Sequence, residues 1–253
     1  MKSNPCHNGG KCLPDLSSNR KRFTCMCPNG YTGKQCEHSI RSCRGYGNGS
    51  RISGKYTVLD GDNNSFVVFC DFDKNSTMTW TLIQSYSIDN NNIFEKLPLY
   101  KDSQQNQNNP SWLQYRLSKS RMESIQQDST KWRLTCGYQN DGVVYTDYLR
   151  ASNSVINILI FRNNETCYKL EYINVRGSNC NNCTALMLQK DWVILHFRSY
   201  LNHKYNCEFK LDNPYNCEHS REHNFGWYYC HSSKHRCSSS WNATTQTWFG
   251  IDD

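Results

Sequence analysis

The sequence lacks the features that would assign it to several common classes of protein. It contains no run of about 18 apolar residues, the length that a membrane-spanning helix needs. Its N-terminus lacks the charged-then-apolar layout of a signal peptide. No nucleophile elbow or other catalytic signature brings its serines, histidines and aspartates together. The sequence therefore predicts neither a membrane span nor an enzyme.

Charge of one sign is not concentrated in the chain. The net charge of +7 comes from 29 lysines and arginines against 22 aspartates and glutamates, which are scattered. The densest basic stretch is SNRKRF (18–23). A solvated loop explains so short a stretch better than a heparin or nucleic-acid site does. We therefore expect no nucleic-acid partner.

Cysteine, by contrast, is abundant. The chain has 15 cysteines in 253 residues and a mean hydropathy of −0.81, which is typical of an oxidising compartment where disulfides supplement a modest core. Six N-glycosylation sequons agree with that compartment. Their acceptors are Asn48, Asn63, Asn75, Asn164, Asn182 and Asn242. We expect a secreted, extracellular glycoprotein and, because no signal peptide is visible, a processed or partial chain.

Residues 1–37 carry a dense cysteine pattern. It runs Cys6-x5-Cys12-x12-Cys25-x-Cys27-x8-Cys36, and its last stretch reads CPNGYTGKQC. This pattern resembles an EGF-like module whose first cysteine is missing, with Met1 in its place. The resemblance implies the disulfides Cys6–Cys25 and Cys27–Cys36 and leaves Cys12 unpaired. About 40 residues bury too little apolar surface to fold without such cross-links.

A linker over 38–42 is expected to lead into a second domain, 43–253, which holds the other 10 cysteines. Alternating or apolar runs between turns predict its strands. They are KYTVL (55–59), SFVVFCDF (65–72), TWTLIQSYS (79–87), KWRLTCGY (131–138), VINILIFR (155–162), KLEYINV (169–175) and DWVILHF (191–197). One helix is predicted over 110–127. Its cap is Ser111, and its apolar side is Leu113, Leu117, Met122 and Ile125.

The second domain resembles a fibrinogen C-terminal-like domain in two places. SGKYTVLDGDNNSFVVFCDFD with WTLIQSYS is similar to the start of that family, and NCEHSREHNFGWYYCHSSK to its late cysteine pair. The resemblance implies the disulfides Cys43–Cys70 and Cys217–Cys230, and an α+β, mainly β fold beside the small disulfide-rich module. Of the family's calcium loop only Asp212 and Asn213 remain, whereas calcium prefers about six to eight oxygen ligands. We expect no cofactor and no bound metal.

Six further cysteines go beyond that family pattern. A plausible pairing is Cys136–Cys167, Cys180–Cys183 and Cys207–Cys237, although the sequence alone leaves other pairings open. CNNC (180–183) is also compatible with a redox dithiol or half a zinc site. No second C-x-x-C exists for zinc, and the sequon at Asn182 lies inside the motif. A structural disulfide is favoured.

Two short motifs suggest metal chemistry, and each has a plainer explanation. HSREH (219–223) matches the H-x-x-E-H pattern of some zinc peptidases, which needs a sustained helix and a distant third ligand. The short loop between the two late cysteines leaves little room for that helix, so an exposed polar loop is favoured. DGDNN (60–64) resembles part of a calcium loop but lacks its later carboxylate, and a strand-joining turn is favoured.

The best candidate for recognition lies near the late cysteines. Aromatic faces and imidazoles suit a sugar, and the resembled family forms a pocket here for acetylated sugars or short peptides. The alternative is that these rings pack as core around the late disulfide. The candidate pocket residues are Trp227, Tyr228, Tyr229, His231 and His235.

The pair of modules is also similar to secreted cnidarian proteins, some of which belong to the coral skeletal organic matrix. The sequence thus predicts a secreted, non-enzymatic matrix or adhesion glycoprotein, with extracellular proteins or glycans as partners. The resemblance extends this to a mineralised matrix, although no acidic run exists to template carbonate directly. The alternative is a carbohydrate-binding lectin of the fibrinogen-related type. Neither the ligand nor the oligomeric state follows from the sequence.

Overall fold

The N-terminal part of the chain folds as two small antiparallel hairpins. Strand β1 (Lys11–Asp15) pairs with β2 (Arg22–Met26), and β3 (Tyr31–Thr32) pairs with β4 (His38–Ser39). The structure is a computed structural model. It describes residues 4–15, 22–74, 76–162, 166–199, 205–211, 216–217, 221–222 and 224–252.

Two disulfides hold these hairpins together. Cys6 bonds to Cys25 and Cys27 to Cys36, which are the pairs that the EGF-like resemblance implies. Cys12 is a free, exposed thiol. It lies directly opposite Cys25 in the β1–β2 ladder, but Cys25 is already bonded to Cys6. The free thiol is therefore the one that the EGF-like resemblance leaves unpaired.

The junction with the larger domain is packed. Ile40 is buried, its N–H donates to the Gly30 carbonyl, and its own carbonyl accepts from the Leu59 N–H, both at 2.8 Å. Arg41 Nη2 donates to Asn63 Oδ1 at 3.2 Å. The stretch predicted as a linker is thus hydrogen-bonded on both sides and fixes the small module against the sheet of the larger domain.

The larger domain is built on one antiparallel sheet of ten strands. These are β5 (Gly54–Leu59), β6 (Ser65–Phe72), β7 (Met78–Ser87), β8 (Gln114–Arg116), β9 (Lys131–Cys136), β10 (Tyr148–Ser152), β11 (Cys167–Val175), β12 (Ser178–Lys190), β13 (Val193–Phe197) and β16 (Thr244–Asp252). The order across the sheet is β13-β12-β11-β10-β9-β16-β7-β6-β5, and β8 pairs with β7. Strand β16 therefore lies between two halves that are each continuous in the chain. A separate two-stranded ladder joins β14 (Asn216–Cys217) to β15 (Arg221–Glu222).

Short helical segments connect the strands. They are α1 (Asn91–Phe94), α2 (Lys119–Gln127) and α3 (Tyr138–Asp141), with 3₁₀ turns at Cys43–Tyr46, Ile88–Asn90 and Arg236–Ser238. Within the described ranges, no helix is long and apolar enough to cross a membrane. The structure confirms a disulfide-rich module joined to a mainly β domain.

The helix predicted over 110–127 is wrong in its first half. The helix α2 begins at Lys119, so Ser111 is not its cap, and the preceding residues form β8. Arg116 explains the difference, because its buried guanidinium fixes this stretch between β7 and the segment 97–101 through four hydrogen bonds. Their acceptors are Gln84 Oε1 and the carbonyls of Leu97, Pro98 and Lys101. Met122 and Ile125 are buried on α2 as predicted.

The strand predicted over 155–162 is also wrong, whereas the other six predicted strands are present. This apolar run forms turns, although Ile156 and Ile158 are buried. Their carbonyls accept from the Trp132 indole N–H and from Gln189 Nε2, each at 2.9 Å. Side chains thus satisfy backbone groups that a neighbouring strand would otherwise pair. Strands β8, β10, β12 and β16 are not foreseen from the sequence.

Two of the disulfides proposed from the sequence are wrong. In place of Cys136–Cys167 and Cys207–Cys237, the structure joins Cys136 to Cys237 and Cys167 to Cys207. The order of the strands is the reason. Strand β10 separates Cys136 on β9 from Cys167 on β11, whereas Cys237 precedes β16, the neighbour of β9.

The remaining cysteines of the larger domain pair as expected where they are described. Disulfides join Cys43 to Cys70 and Cys180 to Cys183. Cys230 is disulfide-bonded as well. The side chain of Cys217, its expected partner, lies outside the described residues.

A buried ion pair crosses the middle of the sheet. Arg133 Nη2 on β9 donates to Asp71 Oδ2 on β6 at 2.6 Å, although β16 and β7 lie between those strands. The guanidinium lies 4.3 Å from the ring of Trp80 and 4.8 Å from that of Trp248. The Tyr138 hydroxyl donates to Asp71 Oδ1 at 2.5 Å. Removing either charge would leave the other buried and unpaired, which costs about 3–5 kcal/mol.

A glycine allows this arrangement, and its replacement tests it. A Cβ on Gly250 of β16 would overlap the indole ring of Trp80, its cross-strand neighbour. We expect Gly250→Ala to lower the free energy of unfolding by about 1–3 kcal/mol, because Trp80 must shift in a close-packed core. Chemical denaturation measures the change. Gly61→Ala is the control, since its Cβ would meet open space, and equal losses in both variants would contradict the assignment.

Acid should destabilise the fold through buried histidines. Burial lowers the pKa of His196 to about 3, whereas a histidine in the unfolded chain titrates near ~6.5. Between these values the unfolded state binds more protons, so stability falls as the pH drops through this window, by up to about 1.4 kcal/mol per pH unit for each such histidine. Denaturation of His196→Gln at several pH values should give a shallower dependence. The exposed His38 offers the control, and an unchanged slope in His196→Gln would refute the prediction.

The free thiol can be located directly. Maleimide labelling of the native, non-reduced protein should modify one cysteine per chain, because Cys12 is the free cysteine of the described chain and is exposed. Peptide mass spectrometry should find the label on Cys12, and Cys12→Ser should lose it. A label at any other cysteine would overturn the assignment.

Candidate ligand-binding cleft

The five residues predicted to form a pocket divide into two groups. Tyr228 and His235 are buried, which agrees with the alternative that these rings pack in the core. The Tyr228 hydroxyl lies 2.8 Å from Thr245 Oγ1 on β16, and His235 Nε2 lies 3.6 Å from Asp147 Oδ1. Burial lowers the pKa of His235 to about 3 and raises that of Asp147. Trp227, Tyr229 and His231 are partly exposed.

A cleft of about 390 Å³ lies beside the partly exposed group. One wall is the end of β7 and the turn into α1, and the other is the segment 228–231. The lining residues are Ile88, Asp89, Asn91, Asn92, Glu95, Tyr228, Tyr229, Cys230, His231 and Trp241. The cleft therefore includes Tyr228, Tyr229 and His231 of the predicted pocket, but neither Trp227 nor His235.

Strand pairing and one side-chain amide hold the walls in place. The N–H groups of Ile88 and Asp89 donate to the carbonyls of Ala243 and Trp241, at 3.0 and 3.2 Å, which continues the β7–β16 ladder into the cleft. Asn91 Nδ2 donates to the Tyr228 carbonyl at 2.8 Å and ties the two walls together. The cleft is thus a product of the sheet's register.

Two buried side-chain polar atoms of the lining have no hydrogen-bond partner in the part of the chain that the structure describes. They are Asn91 Oδ1 and His231 Nε2. Asn91 is 8% exposed, and its Nδ2 is already used by the Tyr228 carbonyl. A buried acceptor without a donor costs about 1–3 kcal/mol, and such atoms are rare in native proteins. Because Asn91 Oδ1 has almost no accessible surface, it lies within the wall of the cleft and not on its open face.

The carboxylates of the cleft are Asp89 and Glu95. Glu95 Oε2 accepts from the Trp227 indole N–H at 3.3 Å and from Asn91 Nδ2 at 3.4 Å. Trp227 thus supports the wall from behind and orients Glu95. Asp89 is exposed at the rim. Neither carboxylate forms an ion pair with another described residue.

Aromatic rings form the apolar surface of the cleft. The ring centroids of His231 and Trp241 are 3.9 Å apart, and the angle between the ring planes is 71°. Trp241 is 64% exposed, so one indole face is open to solvent. Tyr229 contacts Trp227 at 5.1 Å between ring centroids. Flat apolar faces beside carboxylate and amide oxygens suit a polyhydroxylated ring better than a purely apolar ligand.

Most of these lining residues are not predicted from the sequence. Asn91, Glu95 and Trp241 belong to segments that sheet pairing brings to 228–231, and no motif surrounds them. The one local signal is that Trp241 precedes the sequon at Asn242. An aromatic residue beside an acceptor asparagine is too common a pattern to indicate a ligand site.

The metal motifs do not form a site among the described residues. Asp212, Asn213, His219 and His223 lie outside them. Residues 221–222 of HSREH form a strand, whereas a zinc peptidase motif needs a helix. Ligand atoms of Cys136, His235 and Cys237 lie within 4.8 Å of one another, but these two cysteines are joined in a disulfide and offer no thiolates. The motif DGDNN is a turn, in which Asp60 Oδ1 accepts from two backbone N–H groups.

The predicted N-glycosylation sites lie on the surface where they are described. Asn48, Asn63, Asn182 and Asn242 are exposed, and Asn242 follows Trp241 at the cleft. Asn75 and Asn164 lie outside the described residues, as does most of the basic stretch SNRKRF. Four sequons are thus accessible to a glycan in the folded chain.

Three curated proteins have a segment similar to part of this chain. Neural-cadherin of Drosophila melanogaster is 46% identical over 46 residues, which is 18% of this chain and 1% of that protein. The Cubilin homolog of Caenorhabditis elegans is 45% identical over 43 residues, 17% of this chain and 1% of that protein. Fibulin-7 of Mus musculus is 42% identical over 40 residues, 16% of this chain and 8% of that protein. The matched region is thus a small fraction of each relative.

A family match locates the similarity at the N-terminus. Residues 2–35 match the EGF-like domain family. They include Cys6, Cys12, Cys25 and Cys27, and the disulfides of the structure follow the pairing that the sequence pattern implies. The chain therefore carries an EGF-like domain at its N-terminus, joined to a mainly β, disulfide-bonded domain.

Proposed function

We propose that this chain is a non-enzymatic extracellular matrix or adhesion glycoprotein that binds carbohydrate through the cleft between α1 and the segment 228–231. The observation that carries the proposal is the 64% exposed indole of Trp241 at the rim of a cleft that is also lined by the carboxylates of Asp89 and Glu95. The indole offers a flat face for a pyranose ring. The carboxylate oxygens can accept hydrogen bonds from sugar hydroxyls.

The setting of the cleft supports an extracellular role. The EGF-like domain, the disulfides and the exposed sequons are consistent with a secreted glycoprotein. The packed junction at Ile40 holds the EGF-like domain and the cleft-bearing domain as neighbours. Such an arrangement suits a protein that connects a glycan to an extracellular protein partner.

The finer assignments belong to the same proposal. We infer that the larger domain is a divergent fibrinogen C-terminal-like domain. The disulfide Cys43–Cys70 supports this, because it joins the early cysteine to the strand on which the resemblance rests. Membership of a mineralised matrix rests on the resemblance to cnidarian proteins. Localisation of the protein in source tissue tests it, since a soluble lectin would be found in body fluid and not in the matrix.

Carbohydrate binding can be tested with one pair of variants. A glycan array should show binding by the wild-type protein, and Trp241→Ala should weaken it about tenfold or more, because the exposed stacking face is lost. Trp192→Ala is the matched control. Trp192 is 69% exposed and lies outside the cleft, against 64% for Trp241.

The array should be read with and without calcium. The cleft holds no cluster of oxygens typical of a calcium site, so we expect the same signals in calcium and in chelator. Asn242→Gln should be included, so that a glycan on Asn242 does not compete at the neighbouring cleft. If no glycan gives a signal above background for any of these proteins, the carbohydrate proposal fails.

A further inference from the structure

The charge of the cleft is opposite to that of the whole chain. The chain has a net charge of +7, yet the ten lining residues include Asp89 and Glu95 and no lysine or arginine. Neither carboxylate is ion-paired within the described ranges. Two uncompensated negative charges therefore flank a concave site, and a bound cation would neutralise them.

The charged groups of the cleft are acceptors. A carboxylate is acceptor-only when ionised, so Asp89 and Glu95 can both accept from a ligand. The Asn91 amide group already donates to the Tyr228 carbonyl and to Glu95. An ammonium group supplies three donors and carries the matching charge.

The aromatic rings indicate which kind of molecule would carry the ammonium group. The exposed face of Trp241 and the edge-on ring of His231 form an apolar surface at the rim. A pyranose ring can lie on such a face with its C–H groups while its polar substituents reach the oxygens below. An ammonium near the indole also gains a cation–π attraction. A sugar that bears an amine uses both parts of the cleft at once.

We propose that the cleft selects a protonated amino sugar, a pyranose with a free ammonium group, over its neutral and N-acetylated counterparts. The inference rests on the carbohydrate binding proposed above and names its ligand class. N-acetylation would remove the positive charge and two of the three donors. An acetamide would then leave Asp89 and Glu95 without a counter-charge, so the distinction is chemical as well as steric.

Three tetrasaccharides of equal length test the selection. They are the glucosamine tetramer, the N-acetylglucosamine tetramer and the neutral glucose tetramer with the same linkage. Calorimetric titration at a pH that keeps the amine protonated should give about tenfold tighter binding of the glucosamine tetramer, since two partly exposed ion pairs contribute modestly. The preference should shrink at high salt, because exposed charge pairs are screened.

Charge-neutral variants assign the preference to the cleft. Glu95→Gln keeps an acceptor for the Trp227 indole N–H, and Asp89→Asn keeps the size of the side chain. In the double variant the affinity of the glucosamine tetramer divided by that of the neutral tetramer should fall to about twofold or less, and an unchanged chemical denaturation midpoint shows that the fold is intact. Glu123→Gln is the control, since Glu123 is an exposed carboxylate on α2 outside the cleft.

The outcomes separate this inference from the function on which it rests. Equal or tighter binding of the N-acetylated or neutral tetramer would overturn the selection and leave carbohydrate binding standing. A preference that survives the double variant would also overturn it. Tighter binding of a short peptide with a free amino terminus would refute selection of a sugar. It would favour recognition of the ammonium group alone. If none of the tetramers binds, the carbohydrate proposal fails together with the selection.

Discussion

The contact between Arg133 and Asp71 is the constraint on which the larger domain depends. Its two charges come from strands that are not neighbours, so the pair forms only when β9, β16, β7 and β6 lie side by side in the observed register. The rings of Trp80 and Trp248 pack against the Arg133 guanidinium and help to exclude water from the pair. A slip of one residue in any of these strands would turn a side chain to the other face and leave a charge buried alone.

The cleft inherits its geometry from the same register. Its walls begin where β7 ends and where β16 starts, and the hydrogen bonds that position Trp241 continue the β7–β16 ladder. Asn91 then connects this corner to the segment of Tyr228. The centre of the sheet and the partly exposed cleft are therefore parts of one hydrogen-bonded system, in which the rim can vary with least disturbance to the core.

Features recorded in a local stretch of sequence could be predicted, and those set by the order of strands could not. The resemblance of the N-terminal module to the EGF-like family implies Cys6–Cys25 and Cys27–Cys36, and apolar runs indicate six of the strands. The Cys136–Cys237 bond and the position of β16 depend on which distant strands become neighbours, and no local pattern records that. The cleft could not be predicted for the same reason, since only the pairing of the sheet brings Asn91 and Trp241 together. The run at 155–162 misleads because burial alone does not distinguish a turn from a strand.

The central place of β16 has a consequence for how the chain is made. The strands before it form two ribbons, β5 to β8 and β9 to β13, and each can pair internally as it leaves the ribosome. Until β16 is in place, each ribbon has an unpaired edge, β7 in the first and β9 in the second. An unpaired edge can pair with a strand of another molecule. Insertion of β16 closes both edges in one step and brings Trp241 to the cleft. An assembled cleft therefore marks a chain in which both sheet edges are closed.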